Sequence, residues 1–161
     1  MAGTSRRNCW KNAGLRQNVP SPEAGAGRPL LLDASALLAF VRREPGGERV
    51  LESLSGGKHP CLVSAVQLVE VEGKLVSDGT STPEQVARRI GQLGKLLTAV
   101  PFSPQAAQAA AFYYARRRPY NLSLGDALCL GTAEMLGADV MTAERAWAAI
   151  PDLPVQVQLI R

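Results

Sequence analysis

The sequence is short of the residues on which several common chemistries depend. Only 5% of its 161 residues are aromatic, one is histidine and three are cysteine. A single imidazole, His59 beside Pro60, excludes mechanisms that need two and leaves a Ser-His-Asp triad no other base. Cys9, Cys61 and Cys129 are odd in number, far apart and form no C-x-x-C pair. Neither a disulfide framework nor a structural zinc site is therefore expected, and a reducing, cytoplasmic home is the default. No stretch approaches the roughly 18 uncharged apolar residues of a membrane span, so no membrane partner is expected. The N-terminus lacks the apolar core of a secretory signal. It is basic and acid-poor like a transit peptide, but Pro and Gly interrupt any amphipathic helix there.

What is present is a chain of one-domain length, 46% hydrophobic, which predicts a core buried in water. The net charge of +4, from 18 Lys and Arg against 14 Asp and Glu, hints at an anionic partner. Its location changes that reading. Residues 1–28 hold Arg6, Arg7, Lys11, Arg16 and Arg28 against Glu23 alone. Thirteen charges of each sign remain after residue 28, 18 less 5 and 14 less 1. Residues 1–28 also lack hydrophobic periodicity and end in SPEAGAGRP, so they are read as a flexible basic extension, and 29–161 as the folded domain. Gly25 and Gly27 precede the first strand and meet Pro29, which rules out a dinucleotide-binding loop.

From Leu30 short apolar runs alternate with helical ones, the pattern of an α/β domain on a parallel sheet. Strands are expected at 30–32, 61–63, 99–102, 138–141 and 155–160. Helices are expected at 35–43, 47–54, 65–76, 83–97, 104–118 and 124–136, with a short one at 143–149. Thr82-Pro83-Glu84 and Ser103-Pro104 supply start signals.

Ligands in open parallel sheets gather beyond the carboxyl ends of the strands. Asp33 follows the first strand, Glu144 follows ADVMT by one residue, Asp126 opens the helix after 121–123, and Glu70 lies on the helix after the second strand. Each of the first three has a structural explanation: Asp33 as a helix cap, Ser123-Leu124-Gly125-Asp126 as a capping box, Glu144 beside a helix dipole. None of these accounts for Glu70, well inside its helix. A pocket of four carboxylates suits divalent-metal hydrolysis, because Mg²⁺ or Mn²⁺ prefers hard oxygen ligands and neutralises acids that would otherwise repel one another.

The segments LLLDASALLAF at 30–40, VSAVQLVEVEGKL at 63–75, LSLGDALCLGTAEMLG at 122–137 and VMTAERAW at 140–147 resemble, in order and spacing, a PIN-domain ribonuclease of the VapC toxin type. The resemblance covers residues 30–161 and implies a three-layer α/β/α fold with a five-stranded parallel sheet. It implies RNA cleavage dependent on Mg²⁺ or Mn²⁺, a VapB-like antitoxin as partner, and a homodimer. It assigns the catalytic pocket to Asp33, Glu70, Asp126 and Glu144, direct metal contact to Asp33 and Asp126, and supporting hydroxyls to Ser35 and Thr142. The usual T-A-D of the last segment is here Thr142-Ala143-Glu144, so one tight metal site and a weaker second one are expected.

On a helical wheel Glu72 falls near the middle of the arc of Ala65, Leu68, Val69 and Val76, while Glu70 lies at its border beside Val66. Periodicity does not choose Glu70; the family spacing from Ser64 does. Phe112, Tyr113 and Tyr114 span about 200° of a helix, so one of them should reach the surface. Arg116, Arg117 and Arg118 follow, either as cations favouring a helix C-terminus or as phosphate contacts for RNA. A non-catalytic PIN-like module binding RNA or protein is the competing reading. A haloacid-type phosphatase would need an acid where Ser35 stands.

Overall fold

The computed structural model describes residues 27–79, 81–94 and 96–161. Five strands, β1 (Leu30–Leu32), β2 (Cys61–Ser64), β3 (Thr98–Val100), β4 (Asp139–Thr142) and β5 (Val157–Leu159), pair in parallel in the order β3-β2-β1-β4-β5. Six helices cover the two faces: α1 (Ala34–Arg42), α2 (Gly47–Ser55), α3 (Ala65–Ser77), α4 (Pro83–Leu93), α5 (Pro104–Ala115) and α6 (Leu124–Leu136).

The period-two alternation of a strand divides the core into two layers. Leu30, Leu32, Val63 and Met141 face α1 to α4, packing against Leu37, Val50, Val71, Leu75 and Val86. Leu31, Leu62 and Val140 face the other way, onto Tyr113, Ala127, Leu130 and Trp147. This is the expected three-layer α/β/α arrangement, with β1 buried on both sides.

Strand order reverses beside β1: the chain winds outward to β2 and β3, then returns to β4 on the other flank of β1. The carboxyl ends of β1 and β4 therefore flank the crevice where open parallel sheets bind ligands. Asp33 follows one of these strands and Thr142 ends the other.

Several boundaries differ from the sequence expectation. Helix α4 stops at Leu93, where Gly94 caps it, rather than running to 97. Helix α5 ends at Ala115, not at 118; Pro119 has no N–H to continue the helix, and Arg118–Tyr120 forms a separate 3₁₀ turn. The expected helix at 143–149 is a 3₁₀ turn at Arg145–Ala149. β3 begins one residue earlier and ends at Val100, and β5 is confined to Val157–Leu159.

The extension expected at 1–28 lies, up to residue 26, outside the described residues. Gly27 N–H donates to the Lys58 carbonyl at 3.2 Å. The Arg28 guanidinium donates to the Gly137 carbonyl and pairs with Asp139 at 3.2 Å. Among the described residues no helix is long and apolar enough to cross a membrane.

Helices α5 and α6 approach most closely at Gly131. A Cβ there would stand 2.4 Å from the Ala110 nitrogen and 2.6 Å from the Ala106 carbonyl, both backbone atoms that cannot rotate away. Gly131→Ala is expected to lower stability by about 1–3 kcal/mol despite its better helix propensity, read as a reduced midpoint of urea unfolding.

Candidate active site

Asp33 is the N-cap of α1 and is buried. Its Oδ2 accepts from the Ser35 N–H at 3.2 Å, the Ser35 hydroxyl at 2.6 Å and the Thr142 hydroxyl at 3.0 Å. With both hydroxyl protons directed at the carboxylate, each oxygen is left to accept. Ser35 Oγ takes the Ala143 N–H at 2.9 Å, and Thr142 Oγ1 takes the Glu144 N–H at 3.0 Å. The two expected supporting hydroxyls thus tie the end of β1 to the turn after β4. Burial nevertheless dominates: it pushes the Asp33 carboxyl up from an ordinary 3.8 to about 6, against its hydrogen bonds and assisted by the charge of Asp126.

Asp126 stands in the first turn of α6 and completes the capping box read from the sequence. Its Oδ2 accepts the Ser123 N–H at 2.7 Å, and its own N–H donates to Ser123 Oγ at 3.1 Å. Capping and site geometry are here one arrangement, because the helix whose start Asp126 caps begins at the crevice.

Glu70 reaches the same place from α3. Gln67, one turn earlier and fully buried, accepts the Ser64 hydroxyl at 2.6 Å and donates Nε2 to the Gly125 carbonyl at 3.0 Å, joining α3 to the first turn of α6. Glu70 Oε2 lies over Gly125, 2.7 Å from where a Cβ on that residue would stand. The other oxygen, Oε1, accepts from Lys74 Nζ at 2.6 Å. Beneath these acids lies Cys129, whose buried thiol is pushed well above its ordinary range, first by burial and then by the charges of Asp33, Asp126 and Glu70.

Three of the four expected carboxylates thus stand around the same crevice, with Glu70 turned towards Lys74. Glu144 does not join them with its side chain: it is exposed and makes no cap, contributing its backbone N–H to the Thr142 hydroxyl. Glu72 is exposed as well. The buried stripe of α3 is Gln67, Val71 and Leu75, not the arc of Ala65, Leu68, Val69 and Val76, and Val69 is 73% exposed. The wheel is misleading here because a polar residue, Gln67, belongs to the packed face.

Two of the three arginines pack back against the end of α5. Tyr113, at the end of α5, donates its hydroxyl to Glu134 at 2.5 Å, eight residues along α6 from Asp126 and so about 12 Å up that helix. Arg116 folds back over the Phe112 ring at 3.6 Å and Arg117 over Tyr114 at 4.1 Å, each also donating to a carbonyl of the last turn. This is the helix-terminal role that the sequence allowed. Of the three consecutive aromatics, Tyr113 is buried and Tyr114 is the one that reaches the surface.

The donor set fits a hard divalent cation. Every candidate ligand is a carboxylate or hydroxyl oxygen, and a bound cation would favour the ionised form of the buried Asp33 carboxyl, whose proton affinity burial has raised. Asp33 and Asp126 would hold such an ion. As the side chains lie, no three His, Cys, Asp or Glu among the described residues are close enough to share one, and Glu70 is drawn towards Lys74.

A family model described as the PIN domain matches residues 30–153. The chain belongs to the PIN-domain family. Solved structures that share its fold include VapBC2 from Rickettsia felis bound to a DNA fragment from its promoter, with 15% identity, TM-score 0.64 and coverage of 81% of this chain and 97% of that one. VapBC-1 from nontypeable Haemophilus influenzae matches with 18% identity, TM-score 0.63 and coverage of 81% and 97%. VapC20 from Mycobacterium tuberculosis, a sarcin-ricin loop cleaving toxin, matches with 17% identity, TM-score 0.57 and coverage of 74% and 94%. No curated protein matches the chain.

The shift at Asp33 has a consequence for stability in metal-free protein. The folded state holds this proton between about pH 4 and pH 6 and the unfolded state does not, so folding stability falls as pH rises through that window. The loss is on the order of 3 kcal/mol. Asp33→Asn should therefore gain stability over the parent from pH 4 to 6 and keep a constant advantage above it, as read from urea unfolding in EDTA.

Proposed function

We propose that this PIN domain is a metal-dependent endoribonuclease, the toxin half of a pair with a VapB-like antitoxin. The observation that carries this reading is the placement of three acids around one crevice beside β1: Asp33 held by Ser35 and Thr142, Asp126 by its capping box, and Glu70 on a helix that Gln67 ties to the first turn of α6. VapBC complexes and an RNA-cleaving VapC among the proteins of like fold support it.

A bound Mg²⁺ or Mn²⁺ would supply charge for the reacting phosphodiester and lower the pKa of a water. The chain's own residues do the rest. The Ser35 and Thr142 hydroxyls hold Asp33 Oδ2 in one orientation. Ser123 fixes Asp126 by the capping box, and Gln67 sets the separation between the turns that carry Glu70 and Asp126. A pocket so pre-organised need not rearrange as charge develops on the phosphate. Glu144, at the exposed rim, is positioned to act only through a longer reach.

An apolar groove of about 700 Å³ runs between α1, α2 and α4, lined by Phe40, Val41, Leu51, Leu93 and Leu96, with Arg43, Glu44, Glu48 and Arg89 also on its walls. Leu51 and Leu96 are nearly half exposed. This is the seat proposed for an amphipathic segment of the antitoxin. Val69 and Leu124, exposed beside the acid-bearing turns of α3 and α6, are the face proposed for a homodimer.

Structured RNA should be cleaved with Mg²⁺ or Mn²⁺ and not in EDTA. Asp33→Asn and Glu70→Gln are expected to lower the rate by at least about 10²-fold, while Glu72→Gln retains it. A chain that binds RNA but cleaves none under any of these conditions would instead be the binding module that the exposed Glu144 favours. If Arg116, Arg117 and Arg118 meet phosphates, replacing all three with alanine should flatten the plot of log binding constant against log salt by about 0.7 per lost contact, or about 2 in all. An unchanged slope would confine them to the helix end.

A further inference from the structure

The carboxylate site contains a positive charge of its own. Lys74 lies one turn after Glu70 on α3, and its ammonium donates to Glu70 Oε1 at 2.6 Å. One oxygen of Glu70, Oε1, is thereby committed to Lys74, while Oε2 lies over Gly125. The backbone around this carboxylate is fixed, because Gln67 bolts α3 to the Gly125 carbonyl one turn away. Glu70 is thus held towards α6 and Lys74 rather than towards Asp33.

We propose that Lys74 is the second cation of the site, a positioning residue that holds Glu70 and limits the pocket to one divalent ion. The inference rests on the metal-dependent reading above. Charge balance supports it. Three carboxylates, Asp33, Glu70 and Asp126, are neutralised by one divalent ion together with the Lys74 ammonium. A second divalent ion would leave the pocket with two excess positive charges unless Lys74 withdrew or a further acid moved in. The remaining acid expected from the sequence, Glu144, is exposed and contributes only its backbone N–H to the network around Asp33. The orientation is also the favourable one for a helix, with the glutamate four residues before the lysine.

The test is a Mn²⁺ titration of the full chain followed by electron paramagnetic resonance and calorimetry, on the parent, Lys74→Met and Lys74→Arg. Lys74 is half exposed, and thermal unfolding verifies that each variant is folded. The parent should bind one Mn²⁺. Lys74→Met should bind a second ion, or bind the first at least 5-fold more tightly, and Lys74→Arg should restore the parent's behaviour. Two ions on the parent, or identical titrations of parent and Lys74→Met, would overturn the role of Lys74 and leave the nuclease reading intact. No Mn²⁺ bound to the parent would overturn that reading and this one with it. Asp33→Asn separates the cases, since it should abolish binding whatever Lys74 does.

Discussion

A carboxylate removed from water must find donors or lose its charge, and at Asp33 the protein does some of each. Three hydrogen bonds converge on one oxygen, yet burial still raises the group's affinity for a proton. The rest of the crevice is organised around satisfying this one side chain. Ser35 and Thr142 have their protons committed to it, so their lone pairs in turn capture the backbone of residues 143 and 144. The turn leaving β4 is thus shaped by an acid that belongs to β1. Removing the charge without removing the oxygen geometry is the least disruptive perturbation available there.

Around this centre the other two acids are delivered by helix starts and helix contacts. Asp126 arrives because a capping box fixes where α6 begins. Glu70 arrives because α3 is fastened to that same first turn by Gln67 and because residue 125 has no side chain. The site is therefore a junction of three helix N-terminal regions with one strand end. Its acids are held by contacts that also stabilise the fold.

Much of this was legible in the residues. The five strands and six helices follow from apolar runs flanked by caps, since a parallel sheet buried on both faces leaves unbroken strings such as Leu30-Leu31-Leu32. Asp33 and Asp126 could be read because each sits at or near a strand end or a cap, where position along the chain fixes position in space, while Ser35 and Thr142 came from the family resemblance. Glu70 was reachable only through family spacing. Its place beside α6 depends on a contact far along the chain, and the apolar arc of the wheel included Val69 when the packed face is Gln67, Val71 and Leu75. Gln67, Gly125 and Lys74 were not singled out. Ser64-x-x-Gln67 has the spacing of a helix cap and Glu70-x-x-x-Lys74 that of an ion pair, but the partner helix that gives both a purpose is more than 50 residues away. The arginine triplet was placed at the end of a longer helix because the break imposed by Pro119 was not weighed against the helical pattern before it.

The attachment of Arg28 has a further bearing. It clasps the Gly137 carbonyl and Asp139, at the amino ends of the strands, whereas the carboxylates occupy the opposite rim. The domain consequently carries Arg28 at one pole and the acid-bearing crevice at the other, a strand length apart. A label attached at residue 28 would therefore report from the side away from the crevice.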